Sequence, residues 1–269
     1  MALGYSLVYG VLRFVNFAHG EIVALSAFIT LFLSNGLGMD SIWSACLLGG
    51  IAGALAAVIL ERLVYRPLRG FGSLTLLLAS FGASMVIQAS MGILWGARSR
   101  VLKIRDPEIE IAGIVISLRH ILLIFLAIMT AACLEFGLRR SVWGLVVRGY
   151  SRNPLQIAAL GIPVDRSVFI TFAITGFLAG VAGVCLGLQS GVDPQMGTRV
   201  GLWAFAATVV GGLGSIRGTL LGGFLLGIVL TLAARFLSVL YTDGIAFLAM
   251  VAVLFIRPKG IFAFLDRGV

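Results

Sequence analysis

Charge is what this chain has least of. Of its 269 residues 12% are charged, and only 11 are Asp or Glu. A soluble domain carries about a quarter charged residues, so there is too little polar surface here to clothe a water-facing protein of this length. Histidine is almost absent. His19 and His120 are the only two and lie far apart, which argues against a metal site or proton relay built from histidines. Cys46, Cys133 and Cys185 lie widely spaced in or beside apolar runs and read as small packing residues, neither a disulfide framework nor a metal set. The chain has no G-x-x-x-x-G-K-[ST] phosphate loop, so it does not bind ATP in that way. No nucleophile–base pairing emerges, and no cofactor is expected. A soluble enzyme and a nucleic-acid binder are both excluded.

What fills the chain instead is apolar sequence, 60% hydrophobic, with 35 glycines and a mean hydropathy of +1.10. A membrane-crossing helix needs about 20 residues to span about 30 Å of hydrocarbon. Spans are expected near 22–37, 43–61, 74–96, 120–137, 167–189, 219–237 and 244–256, with shorter apolar pieces at 2–17 and 201–213. The runs are too long and continuous for barrel strands. The expected fold is all-α: a polytopic helical membrane protein of about eight membrane segments, some short or broken, forming one transmembrane domain over 1–269.

The net charge of +9 sits in clusters between the runs, the usual orientation signal of a membrane protein. Assigning 62–73, 139–166, 214–218, the C-terminal tail and the turn near 13–21 to the cytoplasm gives that side 13 of the 20 bases and, with Glu61 and Glu135 at the adjoining helix ends, 5 of the 11 acids. That is a net +8 inside against +1 outside. Arg98, Arg100, Lys103 and Arg105 then fall outside, beside Asp106, Glu108 and Glu110. Between 101 and 117 the pattern alternates, with Ile104, Ile109 and Ile111 among polar residues, which reads as a small external hairpin. It either caps the bundle or docks an external partner. The first segment is too short for a full span and no cleavage region follows it. It is either a half-helix or a chain that begins in mid-span.

Glycines four apart (Gly49 and Gly53, Gly176 and Gly180, Gly183 and Gly187, Gly218 and Gly222, Gly223 and Gly227) allow close helix contact in lipid. Two other glycine-bearing stretches break the apolar pattern: Asn16-Phe17-Ala18-His19-Gly20-Glu21 and Gly211-Gly212-Leu213-Gly214-Ser215-Ile216-Arg217-Gly218. Unwound backbone at membrane depth persists only where protein or a water-filled cavity covers it, and broken helices of this kind serve solutes in transporters. A tight interfacial turn explains both breaks equally well, with Glu21 favourable in a first helical turn.

Acids within the spans are few. Glu61 and Glu135 fall at expected cytoplasmic helix ends, where Arg62, Arg66 and Arg139 can pair with them, and no chain of mid-membrane carboxylates suggests an ion-coupled pump. Energy for uphill transport would then enter from another chain. The loop 139–166 offers the entry, carrying Arg139, Arg140, Arg148, Arg152 and Arg166 against Asp165 alone. Asn153-Pro154 starts a short helix over 155–160, and Gly161 and Pro163 stop it. Binding to anionic lipid would explain the arginines but not Ala158-Ala159-x-Gly161.

Several of these stretches resemble one family. Tyr9-Gly10-Val11-Leu12-Arg13-Phe14-Val15-Asn16-Phe17-Ala18-His19-Gly20-Glu21, the loop from Asn153 to Arg166 with Thr171-Phe172-Ala173 and Gly180-Val181-Ala182-Gly183, Val210 to Gly218, and Arg257-Pro258-Lys259-Gly260-Ile261-Phe262 are similar to permease subunits of bacterial branched-chain amino acid ABC importers. The resemblance implies a multi-pass protein of the bacterial inner membrane with a cytoplasmic C-terminus. It implies as partners a second permease, two cytoplasmic ATPases carrying the ATP hydrolysis, and an external solute-binding protein. The short helix would be the coupling helix, formed around Arg152, Asn153, Pro154, Gln156, Ala158, Ala159 and Gly161, though Gln156 stands where the family's loop has an acid. Members usually carry a further stretch before Gly4-Tyr5-Ser6-Leu7, and a start codon assigned too far downstream is the preferred explanation. Asn16, Gly211, Gly212 and Gly214 are candidates for lining the path, and His19 and Glu21 for the path or a cytoplasmic gate. The expected solutes are leucine, isoleucine and valine. Alternatives are a urea or short-amide permease, an ion-coupled secondary carrier, and a membrane scaffold.

Overall fold

The computed structural model describes residues 1–37, 41–102, 108–111 and 114–262. Its helices run in order α1 (Ala2–Leu12), α2 (Ala18–Leu37), α3 (Ile42–Leu60), α4 (Arg66–Leu68), α5 (Ser73–Trp95), α6 (Leu118–Arg140), α7 (Val142–Arg152), α8 (Pro154–Ala159), α9 (Val164–Ser190), α10 (Met196–Gly211), α11 (Ile216–Phe236) and α12 (Thr242–Ile256). Five helical stretches among the described residues are long and apolar enough to cross a membrane: Ile42–Phe71, Ser73–Trp95, Val164–Ser190, Ile216–Phe236 and Val239–Ile256. Ala2–Leu12 and Ala18–Ser34 are shorter apolar helices.

Two expectations change. The stretch 62–73, taken as a loop for its charges, continues α3 through a π turn (Glu61–Tyr65), α4 and a 3-10 turn (Arg69–Phe71). Its arginines have specific partners. Arg69 pairs with buried Glu61 and, at 2.8 Å, with Asp165 at the start of α9. Arg66 goes to Asp165, also at 2.8 Å, rather than to Glu61. The expected outer hairpin forms β1 (Glu108–Ile111) antiparallel to β2 (Ile114–Ser117), with Ile111 opposite Ile114. Lys103, Ile104, Arg105 and Asp106 lie outside the described residues.

The bundle is organised around α9, the most buried of the five spans. Lipid tails are as apolar as leucine, so helices associate through close packing and hydrogen bonds more than through hydrophobic transfer. The glycine pairs supply that packing. Gly49 and Gly53 of α3 meet the backbone of Gly176 and Gly180 of α9, and Gly183 lies against the Val23 carbonyl of α2. Gly218 and Gly222 of α11 meet Gly211 of α10. Gly223 and Gly227 do not follow suit; only the Ala207 methyl, 4.0 Å away, approaches Gly223, and Gly227 is open. Cys46 and Cys185, distant in sequence, come within 3.9 Å between Sγ atoms at the α3–α9 contact, both as buried free thiols.

Candidate translocation site and coupling helix

The helix α1 stops because Arg13 turns left-handed, at φ 52°. Five residues later α2 begins at Ala18, with the His19 amide donating to the Asn16 carbonyl at 3.1 Å. Phe14 and Asn16 of the break are buried while Arg13 and Phe17 are exposed, and the Ser80 hydroxyl of α5 meets its backbone. The Phe17 amide donates to Ser80 Oγ at 3.3 Å, and the Ser80 hydroxyl lies 3.2 Å from the Val15 carbonyl and 2.7 Å from that of Leu77.

Three side chains of the break point inward. Asn16 Oδ1 accepts from the Tyr65 hydroxyl at 2.6 Å. His19 stands edge-on to Tyr5, with ring centroids 4.9 Å apart. Glu21 Oε1 accepts from Thr198 Oγ1 at 2.7 Å and from Ser84 Oγ at 3.4 Å. On each, one buried polar atom has no protein partner: Asn16 Nδ2, His19 Nε2 and Glu21 Oε2. Buried polar groups are paired as a rule, so three such atoms on one short segment mark it out.

Ser84 is eleven residues from each end of α5, Ser73–Trp95, or about 16 Å from either end at 1.5 Å per residue. Glu21 therefore lies level with the middle of α5. The partners of Glu21 (Ser84 and Thr198, with Gln88 behind Thr198) and those of the break (Tyr65 and Ser80) were missed in the sequence. A signal was there: Ser80, Ser84 and Gln88 recur every four residues, a polar stripe on a mostly apolar helix.

The second break has a different character. Gly212 and Gly214 adopt φ of 115° and 85°, which turn the chain from α10 into α11. Ser215 caps α11 by accepting from the Gly218 amide at 2.9 Å. The Val210 and Gly211 carbonyls accept from the amides of Ile261 and Phe262 at 2.9 and 3.3 Å, so the C-terminal segment occupies the backbone groups of this corner. Thr198 and Gly211 stand thirteen residues apart on α10, about 20 Å, so the two breaks lie at opposite ends of that helix and do not share one cavity.

The loop 139–166 folds into the amphipathic helix α7 and the short helix α8. Trp143 of α7 donates from Nε1 to the Ser167 carbonyl and to Thr171 Oγ1, each at 3.2 Å, tying α7 to α9. Asn153 caps α8, its Oδ1 accepting from the Gln156 amide at 3.3 Å, and Gly161 ends the stretch at φ 68°. Ile157 packs on Gly149, while Gln156, Ala159 and Leu160 are exposed. Arg152, Pro154 and Ala158 belong to this stretch by backbone; their side chains lie outside the described residues. Nearby, Glu135 pairs with Arg139 at 3.0 Å and also with Arg217 of α11 at 2.5 Å, a partner the sequence did not suggest.

A multi-pass helical bundle with a polar break at mid-span and a short capped helix outside it defines the class: a membrane transport component. The chain belongs to the family described as the permease component of branched-chain amino acid transport systems, whose profile matches residues 1–254. It is 34% identical over 276 residues to the high-affinity branched-chain amino acid transport system permease protein BraD of Pseudomonas aeruginosa, covering 97% of this chain and 90% of that one. To the LivH permease protein of Salmonella typhimurium it is 32% identical over 278 residues, covering 97% and 89%. The autoinducer 2 import system permease protein LsrC of an Enterobacter strain is more distant, at 27% identity over 271 residues, with 94% of this chain and 74% of that one covered. No solved structure matches the chain.

Proposed function

We propose that this chain is the membrane permease of an ATP-driven importer that carries branched-chain amino acids into the cell. It works in the bacterial inner membrane with its C-terminus in the cytoplasm. A second permease completes the pathway, two cytoplasmic ATPases supply the energy, and an external binding protein delivers the solute. Helix α8 is the coupling helix. The observation that carries this reading is α8 itself, a six-residue helix capped by Asn153 and stopped by Gly161. Its exposed residues are available to a partner's groove, while α7 behind it is fastened to α9 through Trp143. ATP-driven closure of the ATPases would move α8 and reorient the bundle around the break at 16–21.

Two experiments test this. A tagged chain purified from native membranes in mild detergent should bring down two ATPases and a second permease; recovery reproducibly free of ATPases refutes the reading. Replacing Gly161 by Trp places a bulky L-residue at φ 68°, which costs about 1–2 kcal/mol, and obstructs the seating of α8. Membrane insertion should persist while uptake falls at least about tenfold, a loss of about 1.4 kcal/mol in coupling. Normal uptake in that variant would remove α8 from the coupling role.

A further inference from the structure

Glu21 is fully buried and no lysine or arginine pairs with it among the described residues. Its Oε1 is held by two neutral hydroxyls. Its Oε2 has no partner and lies against Gly197, where any side chain would collide with it. The first turn of α2, which carries it, favours a negative group at that point. A carboxylate in such a setting lacks a counter-charge, and buried charges persist only when paired.

The cover over Glu21 is thin on one side. Helix α5 packs chiefly on α2. The seam between α5 and α10 is bridged by Gln88 Nε2 donating to Thr198 Oγ1 at 3.1 Å, and that same threonine hydroxyl donates to Glu21. Beside the seam stands an aromatic row. The ring of Phe17 lies 6.1 Å from that of Phe81 and 6.4 Å from that of Phe205, and Phe17 and Phe81 are 39% and 54% exposed.

We infer that Glu21 is the subsite for the substrate's ammonium group, with Phe17, Phe81 and Phe205 flanking its apolar tail, and that the Gln88–Thr198 hydrogen bond closes the seam over it in this conformation. The inference rests on the transport function proposed above. An ammonium group brings one positive charge and three donors, enough to engage Oε2 while the hydroxyls of Ser84 and Thr198 keep Oε1. Without the solute, the hydroxyls of Ser84 and Thr198 still position Oε1. A flanking row of rings suits a leucine-like side chain and makes no polar demand on it.

The test uses the complete importer, with both permeases, the ATPases and the leucine-loaded binding protein, reconstituted in vesicles. Leucine uptake per assembled complex is compared for wild type, Glu21→Asp and Glu21→Gln. Glutamine keeps the shape and still accepts from Thr198 but has no charge; aspartate keeps the charge and loses one methylene. The expected order is wild type, then aspartate, with glutamine down about 10- to 100-fold, the range of a charge-assisted hydrogen bond. A purely structural role predicts the reverse, the isosteric glutamine equalling or exceeding aspartate, and that result overturns the subsite. If a variant does not assemble, the wild-type complex carries the test. Leucine-loaded binding protein should protect Glu21 from a hydrophobic carbodiimide, read by mass spectrometry, and equal labelling with and without it overturns the subsite. A wild-type complex that assembles yet takes up no leucine refutes the transport reading instead.

Discussion

Consider a single methyl added at Gly180, on the face of α9 where α3 passes. It would fall inside the contact radius of the Gly49 carbonyl oxygen and 3.1 Å from Gly50 Cα. Both are backbone atoms, so no rotamer change relieves the clash and the two helices must part. Overpacking of this kind costs about 1–3 kcal/mol. Against it stands the helix propensity of alanine, better than glycine by about 0.8–1 kcal/mol. The steric term wins, leaving Gly180→Ala less stable by up to about 2 kcal/mol. Gly82→Ala is the matched control. It also lies inside a helix, but no atom outside its own backbone comes within 4 Å of the added methyl, so only the propensity gain remains. The difference between the two variants isolates the steric term. At about 2–4 °C per kcal/mol for chains near this size, their Tm values should separate by about 2–12 °C, with Gly82→Ala the higher. The assay is thermal unfolding of the purified chain in one detergent, followed by tryptophan fluorescence. A Gly180→Ala protein that unfolds at or above the temperature of Gly82→Ala would refute backbone contact between α3 and α9.

Two further predictions concern polar ties. Tyr65→Phe removes the donor to Asn16 Oδ1 and leaves that buried oxygen unpaired, at about 1–3 kcal/mol; an unchanged Tm would show that the break is held by other means. Asp165→Asn releases Arg66 and Arg69 together, but Asp165 is 59% exposed, so the loss should not exceed about 1 kcal/mol and should shrink in high salt, measured as Tm against ionic strength.

The spans were legible because run length and apolarity are local properties. Helix α9, expected at 167–189, is found at Val164–Ser190, and α5, expected at 74–96, at Ser73–Trp95. What local sequence misjudged was charge and polarity inside a helix. Arg62, Arg66 and Arg69 read as a loop, yet the helix runs on to Phe71 because Asp165, about a hundred residues later, gathers Arg66 and Arg69. Helix α10 starts at Met196 rather than near 201, its first turn held by the Arg199–Asp193 pair at 2.9 Å. Depth was the least legible quantity of all. A polar break looks the same in sequence whether it meets water or hydroxyls, and the hydroxyls that reach Glu21 come from 63 and 177 residues away.

The same long-range ties decide how the ends of the molecule communicate. Ile157 of α8 rests on Gly149 of α7, Trp143 of α7 bonds to α9 at Ser167 and Thr171, and Phe172, the next residue of α9, packs on Tyr65 with ring centroids 5.5 Å apart. Tyr65 then donates to Asn16, at the start of the break that carries Glu21. Contiguity alone is not coupling, which requires an element with two arrangements that both ends bias. The break at 16–21 has the makings of one. Its Phe17 amide goes to the Ser80 hydroxyl rather than to a helix ladder, and a hydroxyl can exchange partners with little backbone movement. Packing runs from α8 as far as Tyr65, and beyond it the 2.6 Å hydrogen bond to Asn16 and the ring of Phe14, 5.3 Å from that of Tyr65, join it to the break. If α8 is the coupling helix proposed above, its movement would reach Glu21 through Tyr65. That makes Tyr65→Phe informative twice over, lowering Tm and lowering uptake by more than the stability loss alone would explain.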